Sequence, residues 1–415
     1  MAKRIAAIVL IFFCCTLAWA VLGGTIFART YSSDTRARES VASTWGAPQT
    51  QRTPSAVSVH REARRTESRE NGRTVARTVT ERGETDLAVQ RTRADVALDL
   101  EHRQKGLLWY STYTVRFAAD YDFRNDGRGD TVVFTLPLPT AEAIYDDLVI
   151  TLDGRPLALT THESEITART TLPRGTVGRF HVGYKSQGLE RWNYSFGENV
   201  STVRDFELRM HTSFEDIDFP GNTISPTTKA REGDGWLLAW RYNNLVSGYQ
   251  IGMEMPEKLQ PGPLAGRISF FAPVSLLFFF LVLFILTTLR GIEIHPMNYF
   301  LLAAAFFAFH LLLAYLVDHV SIHVAFVIAS LVSMILVATY LRLVVGWDFA
   351  LRYAAPAQLL YLVLFSYAFF FAGYAGLTVT IGSIISLFAI MQLTGRVRWG
   401  ELFLAKGGGV AAATR

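Results

Sequence analysis

The chain has 415 residues, half of them hydrophobic, which leaves room for about two or three domains. Its 40 basic and 36 acidic residues are interleaved and leave a net charge of only +4, a pattern that argues against a nucleic-acid binder. Its 2 cysteines, Cys14 and Cys15, both lie in the first apolar run, so no disulfide framework can form elsewhere.

Met1-Ala2-Lys3-Arg4 precedes an apolar run from Ile5 to Phe27. This first segment (1–28) reads in two ways. A run of about 23 residues suits a membrane-spanning anchor. Ala18-Trp19-Ala20 instead suits the small-x-small cleavage pattern of a signal peptide. Length favours the anchor. In both cases Lys3 and Arg4 stay cytoplasmic and the following chain is exported. The Cys14-Cys15 pair reads as two small apolar residues of a spanning helix, not as a redox or lipidation site.

Residues 29–94 are rich in Arg, Thr, Ser and Glu and poor in large apolar side chains, as in His60-Arg61-Glu62-Ala63-Arg64-Arg65. Such a segment buries little, and a polar, partly disordered linker is the expectation.

From about Asp95 the period becomes two, and residues 95–267 are expected to form an extracytoplasmic all-β, sandwich-like domain. Tyr113, Val115, Phe117, Ala119, Tyr121 and Phe123 alternate with polar neighbours, as in a half-buried antiparallel strand. Asn125-Asp126-Gly127 predicts a hairpin turn with Thr131 to Leu136 as the return strand. Asp153-Gly154 closes a second hairpin after Leu148, Ile150 and Leu152. Further alternating runs surround Phe180, Phe206, Trp236 and Tyr249. Many short strands separated by turn signals indicate a sandwich or open barrel. Catalytic motifs are missing: there is no His-Glu-x-x-His, Gly-x-Ser-x-Gly or Walker-type loop. Arg128-Gly129-Asp130 is expected to complete the hairpin turn and not to act as an adhesion tripeptide. His181 and His211 each stand alone on a polar strand face in this reading. Trp236 and Trp240 read as packing residues in preference to a ligand groove.

Residues 268–394 form an apolar block with five expected spans, at about 269–289, 297–317, 321–342, 353–372 and 374–393. Arg290, Arg342, Arg352, Arg396, Arg398 and Lys406 fall in alternate loops and the tail. Positive charge marks those sides as cytoplasmic, so the expected topology has both termini inside and the β-domain outside. The tail, 395–415, is too short for a signalling domain. Pro296 suits a first helical turn, with His295 capping it. Asp318, His319 and His323 gather at the exported membrane edge. On a continuous helix His319 and His323 would share a face, which makes these residues weak candidates for a metal or proton-relay site. Scarcely any other polar group is expected inside the block, which makes a poor solute path.

From Glu293 through His295, Pro296, Met297 and Tyr299 to Leu302 the chain resembles the CreD family of bacterial inner-membrane proteins, in which a His-Pro-Met-x-Tyr pattern opens the second helix of the C-terminal block. The resemblance continues through Asp318-His319, Val324-Ala325, Ile328-Ala329-Ser330-Leu331 and Tyr340-Leu341. In the exported part Glu101 to Leu107, Pro220, and Trp236 to Leu245 carry it, for a coverage of about 95–395. The first 95 residues look shorter and less ordered than the family's corresponding region. The resemblance implies an inner-membrane role in envelope integrity and envelope-stress responses, with no known catalytic residues and no cofactor. The expected partners are the lipid bilayer and an envelope protein or cell-wall component bound by the β-domain. The rival readings are a transporter or channel subunit, and a membrane-embedded enzyme built on Asp318, His319 and His323.

Overall fold

The computed structural model describes residues 2–70, 73–105, 108–197, 201–371, 373–395 and 397. Arg396, Arg398 and Lys406 of the expected tail lie outside the described residues. Contacts divide the chain into a helical unit (1–35, 106–108 and 259–415) and a β-unit (36–105 and 109–258).

The helical unit takes its first helix from α1 (Ala2–Trp45), which runs unbroken through Ala18-Trp19-Ala20. It continues with α2 (Pro261–Leu289), α3 (Pro296–Leu316), α4 (Ile322–Val345), α5 (Trp347–Phe370) and α6 (Ala375–Thr394). Among the described residues, 6 helices are long and apolar enough to cross a membrane. In lipid a helix satisfies its own backbone groups, so helix contacts depend on close packing, which small residues permit. The antiparallel seam of α1 and α2 follows that rule. A Cβ built at Gly266 would lie 2.8 Å from the Phe27 ring, and one at Gly262 would lie 2.6 Å from Thr30 Oγ1. Phe27 also packs on Phe270, with ring centroids 5.6 Å apart. Trp19 is fully buried and sets its ring against Phe307 (5.7 Å) and His310 (5.6 Å). Helix α5 is irregular: two π-helical stretches, Ala350–Ala354 and Leu359–Leu364, flank the short α-helical segment Ala355–Gln358.

The β-unit begins with β1 (Gln49–Arg52), β2 (Ser55–Glu70), β3 (Arg73–Leu87), β4 (Val89–Lys105), β5 (Leu108–Arg124), β6 (Thr131–Pro137), β7 (Tyr145–Leu152) and β8 (Arg155–Pro156). It continues with β9 (Leu159–His162), β10 (Glu165–Thr171), β11 (Val177–Leu189), β12 (Arg191–Ser195), β13 (Ser201–Thr212), β14 (Thr228–Glu232), β15 (Gly235–Ser247) and β16 (Ile251–Glu254). These strands build three sheets, ordered β14-β15-β13-β4-β5-β11-β7-β8, β3-β2-β6-β10-β9 and β1-β12-β16. The period-two residues of β5 all turn inward: Tyr113, Val115, Phe117, Ala119, Tyr121 and Phe123 are buried. Phe134 of β6 stacks on Phe180 of β11 at 4.7 Å, which joins the five-stranded sheet to the eight-stranded one. Aromatic burial of this kind supplies most of a sandwich core. The buried tyrosines keep their hydroxyls bonded: Tyr184 donates to Gln51 Oε1 at 2.8 Å, and Tyr113 to the Arg191 carbonyl at 2.7 Å.

Two expectations need correction. Residues 29–94 are not a linker. They complete α1, add β1 through a parallel ladder to β12, form the long β2–β3 hairpin and start β4. The composition hid this because Thr, Val and Arg alternate without a large apolar face, yet Thr and Val favour extended backbone. Second, Asn125-Asp126-Gly127 does not close a hairpin, because β5 joins β4 and β11 while β6 joins β2 and β10. The chain turns a corner between sheets. Asn125 Nδ2 donates to the Gly129 carbonyl (2.9 Å) and the Leu172 carbonyl (2.7 Å), which fixes that corner and the Arg128-Gly129-Asp130 segment within it. The sheets also contain parallel ladders: β13 runs parallel to β4, and β1 parallel to β12.

Candidate functional site

The residues of the His-Pro-Met-x-Tyr pattern build a helix start and an interhelix contact. His295 is the N-cap of α3 and accepts from the Met297 amide at Nδ1 (3.2 Å), with Pro296 in the first turn. Tyr299 is fully buried and meets Phe280 edge-on at 5.2 Å, while Met297 is exposed. Asn298 Oδ1 accepts from the Tyr340 hydroxyl at 2.7 Å, and Ser330 donates to the Phe326 carbonyl at 2.7 Å.

Asp318, His319 and His323 do not assemble as their spacing suggests. Helix α3 ends at Leu316, and Val317 to Val320 form a turn before α4 begins at Ile322. The continuous helix that would align the two histidines is therefore absent. His319 is exposed in the turn, whereas His323 lies against Phe370 with centroids 5.0 Å apart. Asp318 is engaged by Arg29 of α1, with contacts of 3.2 and 3.3 Å. The same guanidinium donates to the Ala314 carbonyl at 2.9 Å and lies over Tyr315, at the C-terminal end of α3 where a cation is favoured. Among the described residues no group of three His, Cys, Asp or Glu could hold a metal ion.

The interior of the helical unit is more polar than expected. His310, Ser269, Ser275, Ser333, Gln358 and Ser366 are all buried. Gln358 donates through Nε2 to Ser333 Oγ (3.0 Å), and Ser333 donates to the Ala305 carbonyl (2.7 Å). This relay links α5, α4 and α3 near their midpoints, between the two π-helical stretches, where such distortions often mark function. Gln358 Oε1, Ser275 Oγ, His310 Nε2 and Trp19 Nε1 are buried without a hydrogen-bond partner. Single apolar spans concealed this layer because serines and one glutamine scarcely alter mean hydropathy.

On the β-unit, the outer face of the eight-stranded sheet carries a charge lattice. Glu207 accepts from Arg209 (2.9 Å) and Arg241 (3.0 Å), and lies 3.7 Å from Arg93. Burial pushes the Glu207 carboxyl up, but the hydrogen bonds and charges of Arg209 and Arg241 outweigh it and hold the group below the ordinary glutamate range. His181 and His211 are not alone, which corrects their reading from sequence. His181 bonds Asp120 at 2.7 Å, and His211 meets Glu232 at 2.5 Å and Asp95 at 3.2 Å. Register explains the first pair, because His181 stands opposite Asp120 across the β11–β5 ladder. Trp240 is core, with its indole donating to the Ile224 carbonyl at 2.7 Å, and Trp236 is flanked by Lys229 and Arg231.

Several recesses open on the β-unit, and two of them are lined mainly by strands of its sheets. One, about 280 Å³, has a floor of Ala94, Ala118 and Ala119 within the charge lattice. The other, about 360 Å³, opens between the β1–β2 and β3–β4 links and the facing ends of β12 and β13, with Leu87, Phe196 and Phe206 in its lining. Neither was visible in the sequence, because each draws its lining from distant strands.

The family model described as inner membrane protein CreD matches residues 1–400. That match includes the first 95 residues, which the quoted motifs leave outside the resemblance. Inner membrane protein CreD of Escherichia coli (strain K12) is 28% identical over 160 residues, which span 35% of this chain and 36% of that protein. Among solved structures, a putative nutrient binding protein from Legionella pneumophila has a TM-score of 0.32 at 8% identity, over 56% of this chain and 76% of that one. An M1 zinc metallopeptidase from Deinococcus radiodurans has a TM-score of 0.28 at 11% identity, over 40% and 42%. Likenesses that weak bear on neither mechanism nor ligand.

Proposed function

The chain belongs to the CreD family of inner membrane proteins and is a multi-pass membrane protein, and from that premise we propose that it supports cell-envelope integrity without catalysis. In this reading the β-unit faces the extracytoplasmic side and binds a partner or envelope component, and the helices anchor it.

The distribution of charge along the helices carries the proposed orientation. Lys3 and Arg4 begin α1, and Arg290, Arg342 and Arg352 cluster around the α2–α3 and α4–α5 junctions. Arg4 lies over Phe284 and Arg290 over Tyr353, so these ends come together. The opposite ends hold Arg29 and Arg267 with Asp318. An excess of Lys and Arg favours the cytoplasmic side, and the chain from the end of α1 to the start of α2 is then exported. The seam between α1 and α2 supports a retained anchor over a cleaved signal peptide, because cleavage after Ala20 would remove Trp19 from the bundle.

Cysteine accessibility tests the orientation. On a Cys14→Ala/Cys15→Ala background, Asp216→Cys should react with a membrane-impermeant maleimide in spheroplasts, and Asp348→Cys should react only after lysis. The reverse pattern overturns the topology. For the binding role, crosslinking through the β-unit in live cells should capture a discrete partner; recovery of bulk lipid alone would count against it. The Gln358–Ser333 relay favours a second reading, a transporter subunit, which solute flux in reconstituted vesicles would support. The enzyme reading, on Asp318, His319 and His323, fails if His319→Ala/His323→Ala leaves the envelope phenotype and protein level unchanged.

A further inference from the structure

The 360 Å³ cleft of the β-unit combines three independent features. Its size falls near the lower end of small-molecule pockets, roughly 300–1,000 Å³. Its lining sets an apolar, aromatic patch beside the hydroxyls of Thr53, Ser55, Thr92 and Thr202: Leu87 and Phe206 are buried, and Phe196 meets Phe206 edge-on at 5.0 Å. Val89 and Val203 extend that surface.

The second feature is an unpaired cation in the lining. Arg204 belongs to the cleft and is exposed. Its neighbours on β4, β13 and β15 are all committed: Arg91 to Asp122 and Asp205, Arg93 to Asp205, Arg209 and Arg241 to Glu207. Arg204 has no carboxylate partner among the described residues.

The third feature is backbone strain beside it. Asp205 holds a φ of 39°, a region that non-glycine residues rarely adopt. Ladder pairing passes from Arg204 opposite Asn244 to Phe206 opposite Tyr242 and omits Asp205. Arg93 clamps the displaced residue, bonding its carbonyl at 2.6 Å and its carboxylate at 2.5 Å. The carboxylate next to Arg204 in sequence is thereby engaged by Arg91 and Arg93 of β4. Strain that persists because neighbours enforce it tends to gather at ligand sites.

We propose that this cleft binds a single-chain amphiphile with an anionic head group, its alkyl chain on Leu87, Phe196 and Phe206 and its head on Arg204. The proposal deepens the binding role of the β-unit and rests on it. A fatty acid and a lysophospholipid share this chemistry. The uncompensated guanidinium selects for negative charge, and the apolar lining selects for chain length. Each methylene buried adds roughly four-fold in affinity.

Full-length protein in phosphatidylcholine nanodiscs would be labelled with a diazirine-bearing dodecanoate and its adducts mapped by peptide. Adducts are expected on the segments holding Leu87–Val89 and Thr202–Phe206. Dodecanoate and dodecyl phosphate should both compete, and dodecanol about ten-fold more weakly, given the strength of a charge-assisted bond. Stronger competition by dodecanoate points to a fatty acid, and by dodecyl phosphate to a lysophospholipid; either supports the site. Arg204→Gln should erase the preference over dodecanol with unchanged circular dichroism, since its side chain is exposed. Adducts confined to the membrane helices, or equal competition by dodecanol against the unaltered protein, would overturn the proposal. The labelling reads the cleft directly, so it separates failure here from failure to capture a partner in cells.

Discussion

Replacing Gly266 with leucine tests the α1–α2 seam, because the space for a side chain there is already occupied. The Cβ alone would stand 2.8, 3.0 and 3.2 Å from three atoms of the Phe27 ring. Leucine adds three more carbons beyond it. Phe27 cannot retreat freely, since its ring stacks on Tyr31 and packs on Phe270. Overpacking of this kind costs about 1–3 kcal/mol. Any glycine replaced in a helix also gains roughly 1 kcal/mol of helix propensity, so a matched control is needed. Gly24 supplies it: it lies in the same helix pair, and its Cβ would meet nothing within 4 Å. Both variants would be unfolded by titration with SDS in mixed micelles, followed by loss of helical signal in far-ultraviolet circular dichroism. Gly266→Leu should be less stable than Gly24→Leu by about 1–3 kcal/mol. Adding Phe27→Ala should recover part of the loss, with a coupling of about 0.5–3 kcal/mol. Equal stability of the two leucine variants, within about 0.5 kcal/mol, would refute the close approach and with it the packing argument for a retained α1.

Three further outcomes follow from the polar contacts. Asp318→Asn should lower stability by less than about 1 kcal/mol, because the Arg29 and Asp318 side chains are 36% and 25% exposed and water screens the pair; a loss above about 2 kcal/mol in the same SDS titration would contradict that. Ser333→Ala should cost about 1–3 kcal/mol by stranding Gln358, whereas Gln358→Leu, which removes the buried amide altogether, should cost less than about 1 kcal/mol. The reverse order would rule out the relay as drawn. Glu207 has a lowered pKa in the folded protein, so its contribution is present above the ordinary glutamate range and disappears as pH falls through the lowered value. Acid titration of the full chain by near-ultraviolet circular dichroism should show Glu207→Gln to be less sensitive than the unaltered protein in that window. An identical acid profile would remove Glu207 from the lattice's stability.

Sequence patterns are legible where one face of an element meets a core and the other does not. Tyr113 to Phe123 satisfy that condition, and their alternation predicts β5 directly. The six apolar helices are legible because lipid requires long uncharged runs. The β2–β3 hairpin has no such contrast in composition, so polarity resembled disorder. Asn125 to Gly127 carry a turn signal, but a turn signal does not say which sheet the next strand enters. That choice was made by distant residues such as Ser58, whose hydroxyl donates to the Gly129 carbonyl at 2.8 Å. The cleft was the least legible feature, since Leu87, Phe196 and Arg204 meet only through tertiary folding. Spacing also misled at His319 and His323, because an i, i+4 relation has meaning only where a helix continues.

The parallel ladders govern the timing of folding. Gln49 finds its partner Trp192 only after most of the β-unit has been synthesised, and Trp192 in turn pairs with Met253 of β16. Likewise β4 waits for β13. Pairings so distant must overcome loop-closure entropy before they gain any contact energy, which makes such domains slow to fold. The last ladder residue, Glu254, precedes the start of α2 at Pro261 by a short stretch. Completion of the β-unit is thus scheduled close to the moment when the second membrane helix leaves the ribosome. Until then β4 and β12 expose unpaired edges, the kind of surface through which partly folded chains aggregate.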